Sequence, residues 1–353
     1  MHHAIAGKTF DTLLHVPGLA LPTRIVQGVH DAITNSVYSA VRFGGGAALT
    51  VAGIVEQHLA DSAREPSGAE LSLRSVLNAA VGDSLHAAGS ALALGMGFHT
   101  PSAPLSAQAI GGLGERLCVF VHGLACDEQS WLQPNEAWGQ DTASNYGVLL
   151  ARELGIASIY LRYNTGLAIA DNAAQLAREL DELARAAPQV RELVLIGHSM
   201  GGLVARSAHA AASAQGLAWV RRSTMLICLG SPHQGAPLSK LGHAVAGALG
   251  VSNITQPLGR IANVRSQGIK DLRHGIAGVA PKGLALRFIA GSLADETDGL
   301  VGKLLGDGLV RSASASDEGL SGDVQRVELA GLGHMALLNH PRVYTVLRGW
   351  MAA

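Results

Sequence analysis

Beyond residue 113 short, continuous aliphatic runs alternate with stretches of helical period. "LCVFVHG" reads as a strand and "NYGVLLARELG" as the helix behind it. "IASIYLRYN" is again strand-like, and "IADNAAQLARELDELARAA" repeats its apolar positions at three- and four-residue steps. "ELVLIGHS" and "GGLVARSAHAAA" supply the next strand and helix, and "STMLICLGS", "LALRFIAGS" and "VQRVELAG" three further strands. Aliphatic runs without alternation mark strands covered on both faces. Their interleaving with helices predicts a mostly parallel sheet with right-handed crossovers. The expected fold class is α/β, a central sheet flanked by helices.

The first 112 residues differ in texture and read as a helical N-terminal region without a convincing strand. Ile25, Val29, Ile33, Val37, Tyr38 and Val41 recur at helical steps. An uncharged stretch from Phe43 to Val55 follows, shorter than the ~20 apolar residues of a membrane-spanning helix. A packed helical hairpin is the plain expectation for this region. The sharper one is peripheral contact with a membrane or a hydrophobic polymer. A Pro/Ser/Gly-rich link, "HTPSAPLSAQAIGGLG", separates it from the second domain, residues 113–353.

Composition narrows the class of protein. Apolar residues make up 48% and charged residues 15% of the 353, a globular balance rather than a disordered one. A net charge of -1, without a basic cluster, gives no reason to expect a nucleic-acid partner. Cys118, Cys126 and Cys228 are odd in number and lack metal-like spacing, so neither a disulfide framework nor a metal site is expected. The N-terminal stretch lacks a basic start followed by a long apolar run, and the expected location is cytoplasmic.

The candidate chemistry lies where "ELVLI" stops. Gly197, His198, Ser199, Met200 and Gly201 form a G-x-S-x-G pattern between a strand and a helix. A serine hydroxyl is a weak nucleophile until it is held in the open and paired with a base. A sharp strand-to-helix turn lifts it from the sheet, glycines make that turn passable, and the helix N-terminus favours developing negative charge.

At this point the chain resembles the α/β-hydrolase family: "GHSMGG" is similar to the nucleophile elbow of its lipases and esterases. Upstream, "FVHGLACDEQSW" with His122 and Gly123 is similar to their HG motif. The resemblance covers about residues 115 to 350. It implies an oxyanion hole made of the Leu124 and Met200 backbone N–H groups. It also implies the order serine, acid, histidine along the chain. His334, in "ELAGLGHMALLNHP", is then the expected base, ahead of His340, which reads as a residue at a helix start. His198 is expected to pack beside the elbow. Among Asp295, Glu296, Asp298 and Asp307, the acid expected is Asp307 in "GDGLV", with Asp298 in the similar "TDGLV" as the alternative. The "DETD" run lacks the ligand spacing of a calcium loop.

An insertion at about residues 232–282 is expected to cap the site, with Leu238, Leu241, Val245 and Leu249 forming an apolar face. Within it, "GSPHQGAPL" resembles a segment of bacterial triacylglycerol lipases and of GPI-inositol-deacylase-like hydrolases. "YNTG", "GIKDLR" and "GDGLV" also resemble stretches in that wider group. His233 in this segment reads as a structural turn residue. The reaction implied is hydrolysis of a small-molecule or lipid-like apolar ester through an acyl-enzyme, without cofactor. Thioester or amide substrates, or a hydrolase fold kept only for binding, are the alternatives.

Overall fold

The computed structural model describes residues 66, 68–235, 266–275, 283–292, 320 and 322–352. Asp295, Glu296, Asp298 and Asp307 lie outside these, as do the helices read before residue 66 and most of the cap, including its apolar face. By contacts the chain divides into two units, residues 1–65 with 84–92 and residues 66–83 with 93–353. The sheet belongs to the second.

Among the described residues seven strands form that sheet: β1 Gly97–His99, β2 Arg116–Val121, β3 Ala157–Arg162, β4 Glu192–His198, β5 Ser223–Leu229, β6 Ala285–Ser292 and β7 Val324–Ala330. Their spatial order is β1-β3-β2-β4-β5-β6-β7. Every neighbouring pair is parallel except β1 with β3. The doubly covered α/β sheet read from the sequence is present. β1 was not anticipated: it is a three-residue antiparallel edge at the end of the region expected to hold no strand, and only its last residue, His99, belongs to the stretch read as a link. Its length is too short for a period to register.

The strands bury both faces, which is why their sequences run apolar without a break. Along β2, Leu117, Val119 and Val121 enter one layer while Cys118 and Phe120 enter the other, the period-two alternation of a pleated strand. The first layer packs Leu176, Ala177 and Leu180 of helix α4 (Ile169–Ala186) and Leu203, Val204 and Ala208 of helix α5 (Met200–Gln215). The second packs Leu149 and Leu150 of α3 (Tyr146–Leu154) with Val343 and Leu347 of α7 (Pro341–Met351). Each such leucine or valine, fully buried, contributes roughly 1.5–3 kcal/mol. Two further helices, α1 Gly68–Ala87 and α2 Ala107–Gly111, precede β2, and α6, Gln267–His274, falls in the cap segment.

The strand order places the functional face. The chain moves outward from β2 to β3, then crosses back to β4 on the other side of β2. Such a reversal opens a crevice at the C-terminal ends of the two strands. Val121 and Gly197 are paired at those ends, so the loops after β2 and β4 face each other there. These loops carry the HG and G-x-S-x-G motifs.

All three cysteines are buried, and none is in a disulfide. Among the described residues no helix is long and apolar enough to cross a membrane, and no group of His, Cys, Asp or Glu is placed to hold a metal ion.

Candidate active site

Ser199 stands between the last residue of β4 and the first of α5 with φ 53° and ψ -124°. This is a left-handed backbone, costly for any residue with a Cβ. The surroundings force it. A Cβ on Gly197 would run into the backbone of Gly201 and Gly202, and one on Gly201 into the carbonyl oxygens of Val121 and His122. The elbow is therefore passable only to glycine at both flanks. The Ser199 N–H donates to the Leu229 carbonyl at 2.8 Å, and the Gly202 N–H to the Ser199 carbonyl at 3.1 Å, so the serine backbone is tied to β5 and to its own helix.

The HG loop meets this elbow directly. A Cβ on Gly123 would lie 2.9 Å from the Ser199 Cβ and 3.1 Å from the His198 Nδ1. Beyond Gly123, Leu124 and Ala125 form a turn closed by the Cys126 N–H and the Gly123 carbonyl at 3.2 Å. Ala125 has φ 61°, the other positive φ outside glycine among the described residues. The Leu124 and Met200 amides, the two expected oxyanion donors, face no carbonyl acceptor among the described residues.

The HG loop is braced from β3 and the segment after it. The Tyr163 hydroxyl donates to the His122 carbonyl at 2.8 Å, and the two rings stack at 4.5 Å. The Thr165 hydroxyl oxygen accepts from the Ala125 N–H at 3.3 Å. Farther on, Arg162 grips Glu128 with both nitrogens, Nε to Oε2 at 3.0 Å and Nη2 to Oε1 at 2.6 Å. Burial pushes the Glu128 carboxyl up, but the Arg162 hydrogen bond and charge outweigh it and hold the group below its usual range. His122 is wholly buried, and burial lowers its pKa from 6.5 to about 4. It is therefore neutral near pH 7, and Nδ1 carries the proton that it donates to the Gly123 carbonyl at 3.0 Å.

His334 opens a single 3-10 turn, His334–Leu338, just past β7. The Leu332 N–H fixes the approach by donating to the Ser292 carbonyl of β6 at 3.0 Å. The turn itself is held from below by side chains. Tyr146 donates to the Leu337 carbonyl at 3.0 Å and accepts from the His340 N–H at 2.8 Å. The Asn339 amide donates to the Gln133 and Ser144 carbonyls at 2.9 and 2.8 Å and accepts from the Trp138 indole at 3.0 Å.

His198 joins the two halves of the site. Its Nε2 lies 3.0 Å from the His334 carbonyl, and the two rings are 4.6 Å apart. The residue before the serine thus packs beside the elbow, and it also hydrogen-bonds to the backbone of the expected base, a link sequence reasoning did not find. His340 instead caps α7, its Nδ1 accepting from the Arg342 N–H at 3.1 Å. His233 is buried against Phe288 and accepts from Arg206 at 3.2 Å. Burial and the Arg206 charge lower its pKa to about 3.

The other quoted motifs converge on the same place. A Cβ on Gly268, in "GIKDLR", would strike the Thr165 carbonyl and come within 3.2 Å of the Met200 methyl. Asp271 of that stretch accepts from the Ile169 N–H at 2.9 Å and so caps α4, which has no side-chain cap of its own. The "YNTG" residues contribute Tyr163 and Thr165. Their bracing roles could be found only by knowing which loops meet, since Thr165 acts 40 residues from Ala125.

Residues 156–271 match the family described as PGAP1-like alpha/beta domain. No curated protein matches the chain by sequence. Among solved structures, the chain is similar to the mature lipase BlEst2 of Bacillus licheniformis, with 20% identity over 67% of this chain and 92% of that one and a TM-score of 0.45. It is also similar to a thermophilic esterase from Thermogutta terrifontis, with 14% identity over 73% and 93% and a TM-score of 0.43. A third is the RedJ thioesterase of the prodiginine pathway in Streptomyces coelicolor, with 14% identity over 69% and 91% and a TM-score of 0.41. With its strand order, its strand–serine–helix elbow and the PGAP1-like match across β3 to α6, the chain carries an α/β-hydrolase fold.

Proposed function

We propose that the protein is a serine hydrolase of carboxylic esters with apolar acyl groups. Ser199 attacks the ester carbonyl, and His334 takes its proton and returns it to the leaving alcohol. Asp307 holds the imidazole in the required tautomer, and water then releases the acyl group by the same route. The Leu124 and Met200 N–H groups take the oxyanion. One preorganised donor of this kind is worth roughly 3 kcal/mol in the transition state.

The observation that carries this reading is the strained backbone of Ser199 at the end of β4. A left-handed non-glycine residue persists only where its surroundings dictate it, and such positions concentrate at active sites. The Leu124 and Met200 amides, which meet no carbonyl acceptor among the described residues, and the bond from His198 to the His334 backbone support the same assignment. The assay is hydrolysis of p-nitrophenyl acyl esters of increasing chain length by the full chain, with Ser199→Ala as control. Turnover that rises beyond acetate and vanishes in the variant is expected. Equal rates in the two proteins would exclude the mechanism.

A further inference from the structure

We propose that His122 is a positioning residue that aims the oxyanion donor, a role that rests on the reading of Leu124 given above. The donor N–H belongs to the peptide joining Gly123 to Leu124, and the Gly123 carbonyl is the other half of the same rigid plane. That peptide is trans, so its C=O and N–H point in opposite directions and can only turn together. Whatever holds the Gly123 carbonyl therefore sets the direction of the Leu124 N–H. Among the described residues two donors reach that carbonyl, the His122 Nδ1–H at 3.0 Å and the Cys126 N–H at 3.2 Å. The second closes the turn Gly123–Cys126, with Leu124 second and Ala125 third at φ 61°, the type II pattern. The first is a side chain. The plane they fix lies against the nucleophile, since a Cβ on Gly123 would come within 2.9 Å of the Ser199 Cβ.

Packing alone does not account for an imidazole at this place. The His122 ring is wholly buried. Its Nδ1 carries the proton, because a carbonyl oxygen only accepts, and Nε2 is then a bare acceptor. Among the described residues Nε2 meets no donor. A buried acceptor without a partner lowers stability, and an apolar side chain would fill the site without that penalty. What the imidazole adds is the Nδ1–H. The ring that supplies it is held firmly. Tyr163 stacks on it at 4.5 Å, with 29° between the planes, and takes the His122 carbonyl with its hydroxyl at 2.8 Å. One neighbour thus grips both the side chain and the main chain of residue 122, and the Leu124 N–H is aimed before substrate arrives.

The test compares two substitutions of nearly equal shape in the full chain. His122→Asn places an amide nitrogen where Nδ1 stands, and His122→Leu places a methyl there. In steady-state hydrolysis of a p-nitrophenyl acyl ester, His122→Leu is expected to lower kcat by about five- to tenfold, the effect of one hydrogen bond, with KM within about twofold. His122→Asn keeps most of kcat. Urea unfolding should rank the pair the other way, because asparagine buries an oxygen without a partner and leucine does not. A residue that only fills space would give the same order in both measurements. The matching thionoester reads the donor itself: its sulfur is a poor hydrogen-bond acceptor, so His122→Leu should lower turnover of the oxygen ester alone. Should His122→Leu fail to fold, His122→Phe, which keeps the stack on Tyr163, is read in the same way. Wild-type kcat in the leucine variant, an asparagine variant no more active than it, or equal losses on the two esters would overturn the aiming role while activity stays dependent on Ser199. Activity that survives Ser199→Ala would instead remove the serine mechanism, and this role with it.

Discussion

Ser199 and Ala125 share a left-handed backbone on two loops that meet where Gly123 abuts Ser199, yet they are held by opposite means. The elbow is held by emptiness: Gly197 and Gly201 leave room for backbone to pass where any Cβ would collide. The HG turn is held by attachment, through Tyr163 on one carbonyl and Thr165 on one N–H. The His334 turn belongs to the second kind, suspended from Tyr146 and Asn339. A turn imposed by sterics has no intermediate states and tolerates no larger residue. A turn imposed by hydrogen bonds can be weakened by one atom at a time, so its contribution is open to graded measurement.

The most severe way to break the contrast is Gly201→Ala. The new methyl would enter the Val121 and His122 carbonyl oxygens, which are backbone and cannot swing aside. We expect a stability loss of about 3 kcal/mol by urea unfolding, and ester turnover reduced by about a hundredfold or more. Near-native stability would mean that the elbow is held by something other than space.

Leu124→Pro sharpens the comparison on the HG side. Proline is favoured at the second position of a type II turn and removes its own N–H. The turn therefore survives while the oxyanion donor is lost. Turnover should fall by roughly 10²–10³, well beyond the stability loss of about 2 kcal/mol that trimming the buried Leu124 side chain causes. A proline variant with undiminished kcat would remove Leu124 from the oxyanion hole.

Asn339→Ala loosens the His334 turn without touching its ring. The buried Ser144 carbonyl, the half-buried Gln133 carbonyl and the Trp138 indole lose their partner. A stability loss of about 2–3 kcal/mol is expected, with kcat down by about tenfold. A fall in stability with kcat intact would show that this turn needs no bracing to present its histidine.

The smallest effect per side chain is electrostatic. The folded state keeps His122 neutral, its pKa lowered by burial from 6.5 to about 4, so below pH 6.5 the unfolded chain binds the proton first. Its contribution to stability is complete above that ordinary value and is lost as the pH falls toward 4. At pH 5 the loss amounts to on the order of 2 kcal/mol for this residue, and His233, lowered to about 3, acts in the same direction. Urea midpoints at pH 7.5 and 5.0 should differ accordingly, and equal midpoints would contradict the burial of a neutral ring at the HG motif.

The same contrast explains what could be read from the chain. Steric turns write themselves locally: Gly197, Ser199 and Gly201 stand within five residues, after a strand whose run of aliphatics is unmistakable. Doubly buried strands such as β2 and β4 are legible for the same reason. Bracing is not local. Asn339 reaches Ser144 across 195 positions, and Thr165 reaches Ala125 across 40, so no window of sequence contains both partners. β1 escaped notice because three residues paired at a sheet edge carry too little pattern. Asp307, Asp298 and the apolar face of the cap fall outside the described residues, and their roles stay proposals.

The central claim is that the Ser199 hydroxyl is an activated nucleophile. Reaction of the intact chain with a fluorophosphonate probe at neutral pH, followed by digestion and peptide mapping, tests it without any assumption about the natural ester. The account predicts a single adduct on the peptide carrying Ser199, formed in the wild type and absent from both Ser199→Ala and heat-unfolded protein. An unlabelled chain, or an adduct on another serine, would contradict it.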